Sequence, residues 1–144
     1  MLLFDLSGRM KIRLTGSDRV RFLNGQVTND VRKANPNLSL PACVLNAKGK
    51  IDAFVFISAG PEELFLDSDP ELAETLAQRL DRYVIADDVV VEEVTAEFSL
   101  FHIIRETAPI LPNNGHWRRS KRFGTVGWDL VCRRRSTIAS CNCS

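Results

Sequence analysis

Few residues in this chain of 144 could do chemistry. Asp52 is the sharpest candidate, a carboxylate in the otherwise apolar run from Ile51 to Ser58 and on the same strand face as Phe54 and Phe56. Beside an aromatic cavity its pKa would rise, because burial disfavours the charged form, and it could then act as a base. The other reading is a strand-end carboxylate in water, next to the turn that precedes it. His102 alternates with Phe101 and Ile103 in an apolar strand. It reads as a hydrogen-bonded structural histidine, because no nucleophile is partnered with it. His116 stands in a basic stretch with no partner at a telling spacing. Cys43 lies in an apolar run and reads as a buried small hydrophobe. Cys132, Cys141 and Cys143 hold a single C-x-C pair, whereas zinc sites pair two such clusters, so no metal site is expected. There is no Walker-type loop, no G-x-S-x-G and no H-E-x-x-H.

Charge is segregated along the chain. The formal sum is +1, yet residues 1–60 hold nine Lys/Arg against four Asp/Glu. Residues 61–105 hold three against twelve, and residues 106–144 seven against two. A chain patterned this way can present a basic surface despite a neutral total. The strongest basic runs are Arg118-Arg119-Ser120-Lys121-Arg122 and Arg133-Arg134-Arg135. They read either as a solvated loop and tail or as contacts to RNA, with Arg118, Arg119, Lys121 and Arg122 as the phosphate-facing set.

The elements that must position these residues follow from periodicity. Lys11-Ile12-Arg13-Leu14 alternates and predicts a strand with Ile12 and Leu14 inward. Ser17 or Asp18 caps a short helix carrying Val20 and Leu23, which Asn24-Gly25 ends. Ala42 to Leu45 is a strand, Asn46 to Lys50 a hairpin turn, and Ile51 to Ser58 the strongest strand. Its odd positions Ile51, Ala53, Val55 and Ile57 make an aliphatic face and its even positions an aromatic one, so both sides are expected to be covered. Leu64 to Leu66 is the next strand. A helix opens at Ser68-Asp69-Pro70-Glu71, through an Asp69 cap or a Ser68/Glu71 capping box, and shows Leu72, Leu76, Leu80 and Tyr83 on one face. Asp88 to Val94, Phe98 to Ile104 and Gly127 to Val131 are strands. Short links between the early strands predict antiparallel pairing, hence an α+β domain: mainly antiparallel sheet with one or two packed helices.

Composition is ordinary, at 44% hydrophobic and 26% charged residues, which excludes a disordered, collagenous or disulfide-scaffold chain. No apolar run reaches the roughly 18 residues of a membrane span, and Met1 to Phe4 is too short for a signal peptide. A cytoplasmic or organelle-matrix protein is expected.

Phe22-Leu23-Asn24-Gly25-Gln26-Val27-Thr28-Asn29-Asp30-Val31 resembles the folate-binding YgfZ family, relatives of the glycine cleavage T-protein, an aminomethyltransferase. Leu14-Thr15-Gly16-x-Asp18-Arg19, Asn46-Ala47-Lys48-Gly49-Lys50 and Tyr83 through Val94 extend the resemblance over roughly residues 5–132. It implies α+β segments around a central hole that holds tetrahydrofolate or a derivative. It implies a role in assembly or repair of iron–sulfur proteins and, through these, an effect on tRNA modification. The residues it assigns to the folate region are Gln26, Thr28, Asn29, Asp30, Asn46, Lys48, Gly49 and Phe54. The expected organisation is an N-terminal segment 1–39 of the first folate-binding subdomain, an α+β subdomain 40–132 and a disordered or aberrant tail 133–144. The family continues beyond this point, so a truncated chain is expected.

Two departures separate the chain from the transferases it resembles. Their strand aspartate falls here at about Ala53 or Phe54, with Asp52 displaced by one or two residues; one residue would put it on the opposite sheet face. Their Tyr-Thr-Gly-Glu stretch, whose glutamate holds the pterin, corresponds to Arg122-Phe123-Gly124-Thr125. A Lys-Gly-Cys-Tyr-x-Gly-Gln-Glu signature, which the YgfZ branch carries downstream, is absent. The resemblance thus implies folate binding in support of iron–sulfur proteins rather than catalysis, with aminomethyl transfer through Asp52 as the second reading.

Overall fold

A computed structural model describes residues 2–110 and 117–134. His116, Arg135, Cys141 and Cys143 lie outside the described residues.

The strands are β1 (Leu2–Asp5), β2 (Met10–Thr15), β3 (Leu40–Leu45), β4 (Ile51–Ala59), β5 (Glu63–Ser68), β6 (Val90–Glu93), β7 (Phe98–Ile104), β8 (Trp117–Ser120) and β9 (Gly127–Arg133). Two helices join them, α1 (Arg19–Asn24) and α2 (Ala73–Arg82). Five strands form one sheet in the order β3-β4-β5-β2-β6 and four form a second, β1-β7-β9-β8. Every ladder in both sheets is antiparallel. The expected α+β class therefore holds. β1 and β8 add strands that periodicity did not show, being four residues each with no apolar alternation to read. β1 belongs to one sheet and β2 to the interior of the other, so the segment before residue 40 supplies a strand to each.

One face of the five-stranded sheet carries the apolar core. Ile12, Leu14, Ala42, Val44, Ala53, Val55, Ile57, Leu64 and Leu66 pack there against Phe22 and Leu23 of α1 and Leu76 and Leu80 of α2. Each full burial of such a side chain contributes roughly 1.5–3 kcal/mol relative to exposure. The sheet's other face meets the second sheet, where Phe65 packs edge-on against Phe98 of β7 at 4.9 Å. Among the described residues no helix is long and apolar enough to cross a membrane.

Several local expectations are corrected. Neither Ser17 nor Asp18 caps α1 through its side chain. Instead Asp18 accepts from the backbone N–H of Asp88, and Asp88 accepts from Ser17, stitching the turn after β2 to the segment before β6. Neither Asp69 nor Ser68 caps the turn before α2: Asp69 makes no side-chain cap bond, and the Ser68 hydroxyl donates to Phe54 O at 2.6 Å. Tyr83 follows the last turn of α2 and is exposed, with the Arg79 guanidinium 5.6 Å from its ring centre. Ile51, at the hairpin end of β4, is exposed, and Cys43 is half-buried rather than buried.

Candidate functional site

A cavity of about 210 Å³ opens between the two sheets, lined by Leu6, Arg9, Phe54, Phe56, Asp69, Arg122 and Phe123. Its walls are aromatic. Phe54 and Phe56 point the same way from β4 and meet edge-to-face at 5.2 Å. Phe123 leans on Phe4 at 4.8 Å. Phe54 and Phe123 remain 48% and 51% exposed, so the aromatic side of β4 is covered at Phe56 but open at Phe54.

The cavity floor is a buried ion cluster. The Arg122 guanidinium lies 4.2 Å above the Phe56 ring and donates to both carboxylate oxygens of Asp67, at 2.6 and 2.5 Å. Its Nε–H reaches Asp129, with both oxygens at 2.9 Å. Asp67 also accepts from Arg9 Nε at 2.7 Å. Asp129 also takes the Ser39 hydroxyl at 3.0 Å and stands 2.6 Å from His102 Nδ1. Burial works against charge on Arg122, but Asp67 and Asp129 outweigh it and raise its pKa. Burial likewise opposes the charge on Asp129, yet the His102 and Arg122 contacts hold its carboxyl below the usual range.

This cluster revises the reading of the basic run. Arg118 and Arg119 belong to β8, with Arg119 N–H donating to Asn37 O and Ser39 N–H to Arg119 O. Arg119 and Lys121 are exposed and Arg118 is half-buried, its pKa lowered by burial. The Arg122 side chain is only 4% exposed and committed to two carboxylates, so it is not free to meet a phosphate. His102 is wholly buried on Asp129, as a structural histidine would be.

Lys11 shares the sheet face of this cluster, paired across the ladder with Asp67. It is fully buried, and its ammonium donates to Ser7 O at 2.7 Å and Arg9 O at 2.8 Å. Burial pushes its pKa down to about 8, with Arg134 nearby adding repulsion. Below that value the ammonium is charged in both states and the folded state carries the burial penalty. Between about pH 8 and the ordinary value of 10.5 the unfolded chain binds more protons, so stability rises with pH. The rise from this group is on the order of 3 kcal/mol. Urea unfolding across this window should show the rise in the parent chain and a flatter profile in Lys11→Met; parallel profiles would remove Lys11 as its source.

Asp52 is not on the aromatic face. The β3–β4 ladder pairs Val44 with Ala53 and Leu45 with Ile51, leaving Asp52 as the extra residue of a β-bulge. The bulge turns its carboxylate to α2, where it sits 3.1 Å from Arg79 Nη1; Arg79 Nη2 donates to Leu45 O. Asp52 does not line the aromatic cavity; it lines a separate one of about 210 Å³ with Leu72, Thr75, Leu76 and Arg79, where it is held in the ion pair with Arg79.

The expected folate residues divide into three groups, with Phe54 apart from them. Thr28 and Asn29 run along the outer edge of β3: Thr28 N–H donates to Cys43 O, Cys43 N–H to the Thr28 hydroxyl, and the Asn29 amide to Pro41 O. Across β3, Cys43 pairs with Phe54 and Pro41 with Phe56, so this group adjoins the aromatic face. Asn46, Lys48 and Gly49 shape the hairpin tip, where Asn46 Oδ1 accepts from Lys48 and Lys50 N–H and Gly49 adopts φ +79°. Gln26 is half-buried, and Asp30 caps the 3-10 turn Val31–Lys33 while pairing with Arg32. Only Phe54 of the eight lines the cavity itself. Arg122 was expected only to face phosphate, and Arg9, Asp67, Asp69 and Asp129 were not anticipated as site residues. Their signal was charge inside apolar runs, as in Leu64-Phe65-Leu66-Asp67 and Trp128-Asp129-Leu130, but sequence spacing could not pair them. Among the described residues no group of His, Cys, Asp and Glu is placed to hold a metal.

No protein-family profile and no curated protein matches the chain. Among solved structures, it is similar to glycine cleavage system aminomethyltransferase T from Bartonella henselae, with a TM-score of 0.70 over 90% of this chain at 16% identity. It is also similar to heterotetrameric sarcosine oxidase from Corynebacterium sp. U-96, with a TM-score of 0.53 at 14% identity, covering 91% of this chain and 74% of that one. The chain spans 41% of the aminomethyltransferase's length. What is shared at these identities is the fold, an α+β scaffold of the kind on which the aminomethyltransferase is built.

Proposed function

We propose that this chain is a folate-binding module of T-protein-like fold that acts by binding rather than by group transfer. The observation that carries this reading is the cavity that Phe54, Phe56, Phe123 and Arg122 line together, in which the half-exposed Phe54 and Phe123 rings offer faces suited to stacking a planar heteroaromatic ring. The fold likeness supports it, as do Thr28 and Asn29 beside the same face. Binding is favoured over transfer because Asp52 is turned to Arg79 and because, by the sequence resemblance, Thr125 falls where the transferases carry their glutamate. The finer role we infer is support of iron–sulfur protein assembly or repair, with tRNA modification affected through those proteins. Aminomethyl transfer remains the second reading, favoured by the fold likeness alone.

Calorimetric titration of the folded chain with 5-formyltetrahydrofolate tests the first reading. A saturable one-to-one heat is expected; a folded chain giving none would refute it. Transfer assayed with the glycine cleavage carrier protein tests the second, which falls if no product forms.

A further inference from the structure

We infer that Asp69, with Arg9 beside it, is the specificity-determining residue of the cavity and reads the 2-amino-4-oxo edge of a pteridine ring; this rests on the folate reading above. Asp69 occupies a cap position ahead of Pro70 yet makes no cap hydrogen bond, so its carboxylate is not spent on its own turn. Its side chain is 69% exposed and lines the cavity. Its one ion-pair partner among the described residues is Arg9 Nη1, at a loose 3.6 Å. Arg9 is itself held through Nε to Asp67 at 2.7 Å, which fixes the guanidinium at the cavity wall.

The two groups are complementary to a single ligand edge. A carboxylate accepts from an adjacent ring N–H and exocyclic amine, and a neighbouring guanidinium donates to a ring carbonyl. A 2-amino-4-oxopyrimidine ring offers those groups in that order. The other two carboxylates behind the cavity, Asp67 and Asp129, are saturated by arginine, histidine and serine donors and have less to offer a ligand. Size agrees. At about 210 Å³ the cavity is smaller than the roughly 300–1,000 Å³ that enclose drug-sized ligands, so it takes one ring system with the rest of a folate outside.

The test compares pterin (2-amino-4-oxopteridine) with lumazine, its 2,4-dioxo counterpart, in the parent chain, Asp69→Asn and Asp69→Glu. Lumazine turns a carbonyl toward Asp69 where pterin turns an amine. The parent should prefer pterin by about ten- to hundredfold, the worth of a hydrogen bond to a charged group. Asp69→Asn should lose that preference and Asp69→Glu should keep part of it. Circular dichroism checks that each variant is folded, as an exposed, non-capping side chain should allow. A pterin preference unchanged in Asp69→Asn would overturn the role of Asp69 while leaving the cavity as a ring site. A parent chain that binds 5-formyltetrahydrofolate but neither ring would place the ligand elsewhere and overturn the inference. A parent chain that binds none of the three would overturn the folate reading itself.

Discussion

Replacing Arg122 by methionine should lower stability by about 3–5 kcal/mol, the cost of removing one partner from a buried ion cluster. For a chain of this length that is a fall in Tm of about 10 °C or more. The expectation follows from what the guanidinium holds. It bridges Asp67 on β5 to Asp129 on β9, so the substitution leaves two buried carboxylates short of a donor on the seam between the sheets. Arg9 still reaches Asp67 and His102 still reaches Asp129, which keeps the loss from being larger. Lysine should recover only part of it, because a point charge cannot reproduce the planar fork that meets both carboxylates.

The pH dependence of this variant has a definite sign. In the parent chain the Asp129 pKa is lowered, so its contribution is present above the ordinary value of 3.8 and lost as pH falls through the lower folded value. Without Arg122, burial regains weight and the carboxyl titrates higher, so protonation relieves the variant before it affects the parent. The gap between the two should therefore narrow from pH 7 toward pH 4. Urea unfolding at several pH values measures it, and a gap independent of pH would mean the carboxylates are not the source of the loss.

Gly127→Ala should be the other severe substitution. A Cβ at this position would lie 2.4 Å from His102 Nε2, 2.5 Å from His102 Cε1 and 2.9 Å from Ile103 O. The imidazole cannot swing aside freely, being tied to Asp129 at 2.6 Å and packed edge-on against Phe123 at 5.3 Å. Overpacking costs typically 1–3 kcal/mol, and breaking the Asp129 contact adds to it, so a loss of about 3 kcal/mol or more is expected. Combining it with His102→Ala should give less than the summed losses, since the second change vacates the space the first one fills. Additive losses in that double-mutant cycle would show that the collision is not what Gly127 avoids.

The architecture was legible where one periodic signal dominated. Alternation marked β2 and β4, and the spacing of Leu72, Leu76 and Leu80 marked α2, because each sets one aliphatic face against the same core. The bulge at Asp52 was not legible: a bulge inserts one residue without changing the local composition, yet it reverses which face the carboxylate serves. The ion cluster was hidden for a different reason. Its members come from β2's approach, β5, the turn after β8 and β9, and only the tertiary fold brings Asp67 within reach of Arg9 and Arg122. The same run that read as phosphate-facing, Arg118 to Arg122, has Arg122 turned inward, because charge density along a sequence does not say which side chains face a neighbouring carboxylate.

The pairing of β1 with β7 carries a kinetic consequence. The ladder from Leu2 opposite Ile104 to Asp5 opposite Phe101, with the bond from Leu6 N–H to Leu100 O and the Ser7 hydroxyl 93 residues from its Leu100 partner, closes long loops in the four-stranded sheet. During synthesis the meander β3-β4-β5 can form from near neighbours as soon as it emerges, but β1 has no ladder until β7 is made. Asp67 likewise waits 55 residues for Arg122. Closing such distant contacts slows folding. The nascent chain therefore passes through a stage in which Leu2 and Leu3 form an unpaired apolar edge and Asp67 has only Arg9. That interval exposes the chain to aggregation until β7 is made.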